Sequence, residues 1–199
     1  MAELKFFNRW DAGKATVKDR GLVNYIAIEP RIMPKTGARY THTRFHKVQT
    51  FIVERLATKM MDTGHKGKKH FMSSGHNTGK KNLALRTVEE ALALAEKRMK
   101  DNPLVILVRA VENAAPREEV IAIEYGGARY PKAVDVSPQR RVDLALRAIT
   151  QGAYLRSFNK KVKIAEALAD EIVFAAQSSG RSTAISKKRD LERQASSSK

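Results

Sequence analysis

The chain contains no cysteine. Disulfides, thiolate zinc sites and thiol nucleophiles are excluded together, and a reducing cytoplasmic compartment is the default expectation. Long apolar runs are also missing. None approaches the roughly 18 residues of a membrane-spanning helix, and the opening MAELKFFNRWDAGK has no signal-peptide core, so no membrane partner is expected. Tryptophan occurs once, at Trp10, where its apolar bulk suits a packing anchor better than a base-stacking platform. Acidic residues are scarce: 21 Asp plus Glu stand against 38 Lys plus Arg, a formal charge of +17 over 199 residues. A field of that sign favours polyanions, and with the membrane set aside nucleic acid comes first.

Catalytic patterns are equally thin. GHNTGKK, from Gly75 to Lys81, is one spacer short of a Walker loop. It also lacks the Ser or Thr that would hold Mg²⁺, and no hydrophobic strand precedes it. A nucleotide-dependent enzyme on this loop therefore ranks last. His65, His70 and His76, spaced by five and six in a loop, present no preorganised metal face. Glu118 and Glu119 are adjacent, so on a strand they point to opposite faces and cannot work as a paired acid and base. The expectation is a non-enzyme without metal or cofactor.

What the chain does contain is organised around Pro116 to Arg141. Arg117 to Tyr125 is rich in Val, Ile and Tyr and reads as a strand. Gly126-Gly127 can take positive φ, so a tight reversal there is cheap. Arg129 to Val136 returns, with Pro131 confining this arm to an edge or a two-stranded ribbon. Ser137 then suits a helix N-cap with Pro138 in the first helical position. A lone hairpin is marginal in water, so a helical body must hold its base while the tip reaches outward.

Residues 1–43 are irregular and basic, punctuated by Pro30, Pro34 and Gly37, and form either an arm on a charged partner or a solvated extension. From Arg44 to Asp62, the spacing of Phe45, Val48, Ile52, Leu56 and Met60 predicts an amphipathic helix. Thr63 to Lys81 is a long Gly/His/Lys-rich loop. A second helix carries the stripe Leu85, Val88, Leu92, Ala95 and Met99. Asn102-Pro103 opens a third, with Leu104, Leu107, Val108 and Val111 inward. After the hairpin, Val142, Ile149 and Ala153 share one side of a helix and Arg140, Arg147 and Gln151 the other. Charge reversal at Arg140 and Arg147 should then cost RNA affinity and little fold. Lys160, Lys161 and Lys163 open the next helix, where cations oppose the dipole unless a phosphate binds there. TAISKKRDLERQ closes the chain as a basic helix. No linker splits it, so the fold expected is mainly α: one helical-bundle domain over 44–199 with a protruding antiparallel β-ribbon at about 117–136.

NPLVILVRAVENAAPREE, GGARYPKAVDVSPQRRVDLAL, IAEALADEIVFAA and AISKKRDLER together resemble the universal small-subunit ribosomal protein seven family, in its archaeal and eukaryotic branch. LKFFNRWD and FIVERLATKMM are similar to the same branch. HKGKKHFMSSGHNTGKK departs from it, being longer and richer in Gly and His. The resemblance implies a mainly helical protein that binds the 3′ major domain of small-subunit rRNA and nucleates head assembly. It also implies a ribbon near mRNA and exit-site tRNA, with other small-subunit proteins as neighbours. The implied rRNA contacts are Lys80, Lys81, Arg117, Arg129, Lys132, Arg140, Arg141, Arg147, Lys160, Lys161, Lys163, Lys187, Lys188 and Arg189. The implied mRNA- or tRNA-proximal tip is Tyr125, Gly126, Gly127, Ala128 and Arg129. The rival reading is a DNA-bending architectural protein that would use the same basic ribbon in a minor groove.

Overall fold

The chain is described by a computed structural model over residues 5–29, 36, 37, 39, 41–62 and 76–199. The packing centre is α5 (Ile164–Ala176), a helix in which Ala165, Ala167, Ala169, Ala175 and Ala176 are all buried. Small side chains let other helices approach closely. Three do so: α2 (Lys81–Met99), α3 (Pro103–Ala114) and α4 (Pro138–Ser157). The stripes read from sequence on α2 and α3 face this centre, and Ile106 and Ala110 are buried too, so α3 is covered nearly all round. Asn102 caps α3, accepting from Leu104 N at 2.9 Å with Pro103 just behind it. Ser137 stands at the equivalent place before α4, but its hydroxyl makes no capping bond.

The described part of the first 43 residues is irregular yet fastened to this body. A short hairpin, β1 (Lys5–Phe6) and β2 (Trp10–Asp11), buries Phe6 and Trp10. Phe6 packs 5.3 Å from Trp10 and 5.7 Å from Phe51, centroid to centroid. The Trp10 indole donates to Glu96 Oε2 at 2.9 Å, satisfying its buried polar end. Asn102 Nδ2 donates to Asp11 O at 2.7 Å, and the backbone N–H groups of Lys18 and Asp19 donate to Glu112 Oε1 at 2.6 and 2.9 Å. Pro30 and Pro34, which punctuate this segment in the sequence, lie outside the described residues.

The helix expected from Arg44 begins later. A 3₁₀ turn spans His46–Gln49 and α1 runs Ile52–Met60. Phe45 adopts φ 59° and is exposed, so it leaves the apolar stripe. The reason is tertiary. Ile52 N donates to Ala27 O at 3.0 Å, and extended Phe51 carries its ring into the aromatic group around Phe6, so the helix can start only after it.

β3 (Glu118–Tyr125) and β4 (Ala128–Asp135) form the ribbon, in register from Glu118 opposite Asp135 to Tyr125 opposite Ala128. Gly126 and Gly127, at φ 57° and 81°, make the two-residue turn that matches strand twist. Pro131 sits opposite Ala122.

The last helix, α6 (Thr183–Ser196), docks through a buried carboxylate. Glu171 on α5 has no solvent exposure, and its Oε1 accepts from Ser182 Oγ at 2.8 Å and Ala184 N at 3.0 Å. Ser182 Oγ accepts in turn from Ala184 N and Ile185 N at 3.2 and 3.3 Å. Arg156 Nε stands 3.4 Å from Glu171 Oε2, an ion pair without hydrogen-bond geometry. Gly152 makes room for this contact, because a Cβ there would lie 2.9 Å from the Glu171 carboxyl and from Thr183 Cβ. Ala in place of a mid-helix Gly usually gains about 1 kcal/mol, but overpacking costs about 1–3 kcal/mol. Gly152→Ala is therefore expected to destabilise by up to about 2 kcal/mol, read as a lower thermal midpoint. A raised midpoint would show that α6 does not dock this tightly.

Candidate nucleic-acid interface

Many of the cations read from sequence as RNA contacts are placed in internal bonds. Arg141 is buried, with Nε donating to Pro116 O at 3.2 Å and Nη2 to Asp19 Oδ2 at 2.7 Å. It ties α4 to the N-terminal segment and to the foot of the ribbon. Arg140 grips Glu119 with Nε at 2.7 Å and Nη2 at 2.8 Å, a bidentate clamp between α4 and β3. Reversing Arg140 would thus loosen the ribbon foot as well as remove a cation, so Arg147 alone reports on the outer face. Lys81 pairs with buried Glu54, which also accepts from Thr36 N and Oγ1 at 2.8 and 3.1 Å. Lys188 is half-buried and donates to Asn113 O at 2.9 Å; burial pushes its pKa down. Lys187 donates to Gln151 Oε1 at 2.8 Å and Arg189 to Ser178 O at 3.4 Å. Arg117 is exposed, and its backbone N–H donates to Glu192 Oε1 at 3.1 Å. Arg129 is exposed beside Glu124, 3.5 Å away across the ribbon.

A second group is exposed. Among the described residues, no carboxylate forms a salt bridge with Lys80, Lys132, Arg147, Lys160, Lys161 or Lys163. Lys160, Lys161 and Lys163 stand immediately before α5, Lys163 in the cap position with no side-chain capping bond. Lys80 holds the same place before α2. His76 is exposed, while His65 and His70 lie outside the described residues.

The fold also assembles cations that local sequence does not bring together. Asp143 on α4 pairs with Lys47 at 3.1 Å and with Arg55 of α1 at 3.2 Å. Arg55 is buried and donates its other nitrogen to Tyr25 O at 2.8 Å; burial lowers its pKa, against the pull of Asp143. Lys59 completes the group. Its pKa is pushed down by burial and by the charges of Lys47 and Arg147, while Asp143 and Asp62 oppose. Burial would raise the Asp143 pKa, yet the Lys47 hydrogen bond and the Arg55 charge outweigh it and hold the carboxyl below its ordinary value. Lys47, Arg55, Lys59 and Arg147 thus gather about one principal carboxylate. Lys47 and Lys59 were missed from sequence because α1 and α4 are distant in the chain. The only legible sign was Arg147, standing opposite the α4 apolar stripe.

Together these features define a class: a basic, mainly helical structural protein with a projecting β-ribbon. No helix among the described residues is long and apolar enough to cross a membrane. The family model described as Ribosomal protein S7p/S5e matches residues 22–199, and the chain belongs to that family. It is similar to the small ribosomal subunit protein uS7 of Nanoarchaeum equitans, 50% identical over 197 residues that cover 99% of this chain and 100% of the relative. The uS7 of Archaeoglobus fulgidus is 45% identical over 99% of this chain and 96% of its own length. That of Methanosphaera stadtmanae is 45% identical over 97% of each. The protein is accordingly a structural, non-enzymatic component of the small ribosomal subunit.

Asp143 makes the α1–α4 junction sensitive to acid. Its folded-state pKa lies below the ordinary 3.8, so its contribution to stability is present above that pH and is lost as pH falls through the lowered value. Asp143→Asn should therefore show a shallower loss of urea stability from about pH 4 downward than the parent chain. Parallel acid profiles for the two would show that the junction does not depend on this carboxylate.

Proposed function

We propose that the protein binds small-subunit rRNA in the 3′ major domain, early in assembly of the head, and holds its ribbon tip beside mRNA and exit-site tRNA. The observation that carries this reading is the convergence of Lys47, Arg55, Lys59 and Arg147 about Asp143. Two basic elements meet there with too few carboxylates to neutralise them. Lysines before α5 and Lys80 before α2 extend the cationic surface.

The mechanism is electrostatic and geometric. Lys and Arg replace condensed counterions along phosphates, a term that weakens steeply with salt. Folded RNA is recognised through shape, phosphates and 2′-OH groups, so a rigid arrangement of cations gives selectivity without a base-reading helix. The internally bonded Arg140, Arg141, Lys81 and Lys188 contribute by holding that arrangement. Tyr125, Gly126, Gly127, Ala128 and Arg129 form the part of the ribbon farthest from its foot, which suits them to reach a ligand the body does not touch.

Competition binding tests the reading, using a 3′-major-domain rRNA fragment against duplex DNA and unrelated RNA across a salt series. Selective binding to the fragment, surviving at salt that releases the competitors, is expected. Equal binding to all three would leave only a generic polyanion term and favour the architectural reading. Lys59→Gln and Arg147→Gln should each reduce the salt slope by about one with unchanged circular dichroism. Replacing Gly126, Gly127 and Arg129 should leave rRNA affinity near that of the parent while exit-site tRNA occupancy falls in assembled subunits. A large loss of rRNA affinity would make the tip an anchor instead.

A further inference from the structure

Among the described residues, Phe45 alone combines an exposed large apolar side chain with a left-handed backbone. A helix continued back from α1 would carry it onto the stripe of Val48, Ile52 and Leu56. Instead it adopts φ 59° and ψ 23°, a region that a bulky residue rarely enters. Backbone bonds fix the turn on both sides. His46 N donates to Thr43 O at 3.3 Å, and Val48 N donates to Phe45 O at 2.9 Å. The ring is left 56% exposed, whereas nearby Phe51 is 1% exposed. Arg44 lays its guanidinium over the ring, 5.1 Å from the centroid. Strain held at an aromatic ring that faces solvent packs nothing inside the fold, and that points to a ligand.

We propose that the Phe45 ring, with the Arg44 guanidinium beside it, is a stacking platform for one unpaired nucleotide of small-subunit rRNA, whose flanking phosphate lies against Lys47. Aromatic rings and guanidinium planes both hold unstacked bases, since every base has a π-face. Two features select RNA over a protein partner. The first is charge: between Glu29 and Glu54 the sequence has no acidic residue, and Arg44, His46 and Lys47 flank the ring. The second is area. Among the described residues of that stretch no other large apolar side chain is exposed, so the site offers a base one flat surface but a protein too small an apolar patch. A duplex keeps its bases stacked inside, so the nucleotide must come from a loop, bulge or junction. Lys47, 3.1 Å from Asp143, links the ring to the group it forms with Arg55, Lys59 and Arg147. The inference rests on the rRNA reading above and sharpens it. That group attracts phosphates without regard to sequence, and Phe45 adds a demand for an unstacked base at one place.

The test has two arms, both with the full-length chain. In assembled small subunits, short-wave ultraviolet light should attach the peptide that bears Phe45 to a nucleotide of small-subunit rRNA, and Phe45→Leu should abolish that adduct. Affinity for a 3′-major-domain rRNA fragment should fall about ten- to a hundredfold for Phe45→Leu and stay within about threefold of the parent for Phe45→Tyr and Phe45→Trp. Phe45→Gly separates recognition from folding. It relieves the left-handed strain, so the thermal midpoint of the free chain should hold or rise while affinity drops as for Phe45→Leu. The proposal would be overturned by parent affinity in Phe45→Leu, by a lowered midpoint in Phe45→Gly, or by no rRNA adduct in fully occupied subunits. Capture of a polypeptide alone by benzoylphenylalanine at position 45 would overturn it equally. A parent chain with no preference for the fragment would instead count against the function proposed above, and the adduct in subunits would still decide the role of Phe45.

Discussion

A carboxylate with no access to water decides where the last helix lies. Glu171 would be costly to bury unpaired, and its desolvation is offset by Ser182, by Ala184 N–H and by the positive end of the α6 dipole, with Arg156 alongside. One consequence is positional. α6 carries Lys187, Lys188 and Arg189, and its Glu192 accepts from Arg117 N at the ribbon's entry. The foot of the ribbon is therefore referred, through α6, to a residue in the middle of α5. Gly152 shows how closely the parts are fitted, since one added methyl would meet both the carboxyl and Thr183. α5 begins quite differently. Its dipole is answered only by Glu166 within its first turn, and three exposed lysines crowd the approach. The chain neutralises one helix start internally and leaves the other electropositive.

That contrast runs through the cations as a whole. A formal charge of +17 invites every Lys and Arg to be read as an RNA contact, but folding uses a large share of them. Arg141 holds two backbone segments to α4, Arg140 clamps the ribbon, and Arg55 lies buried beneath Asp143. Guanidinium suits such work because its fork can satisfy a carboxylate and a carbonyl at once. Lys47, Lys59 and Arg147, nearer the surface, are then held in place by the buried layer below. Preorganisation matters here because ordering long side chains on binding costs affinity.

Much of this was legible in sequence, and the failures share a cause. The ribbon, its Gly-Gly turn and the stripes of α2, α3 and α4 follow from local propensity and periodicity, which tertiary contacts here reinforce. The helix expected from Arg44 failed because the Ile52 N–H is taken by Ala27 and the Phe51 ring by the aromatic group. Neither is visible within the segment. Ser137 has the right residue type and place for a cap, yet its hydroxyl makes no capping bond. Helix-wheel geometry placed Arg140 outward correctly, but it could not show that Glu119 would be waiting across the ribbon foot. The Asp143 group needed α1 and α4 side by side, information that neither stretch carries.

The ribbon itself is asymmetric in stability by construction. At its foot, Arg140–Glu119, Lys199–Glu118, Glu192 to Arg117 N, and Val136 N to Arg117 O fix both strands to the body. Beyond Ile121 every residue through Tyr130 is exposed, and two-stranded pairing with cross-strand side-chain contacts must hold the shape alone. Left open, such a ribbon would be an invitation to edge pairing. Pro131 removes one donor from an edge, and the Glu124–Arg129 pair puts charge close to the turn. These devices discourage generic strand addition while leaving the Ile121–Tyr130 face apolar.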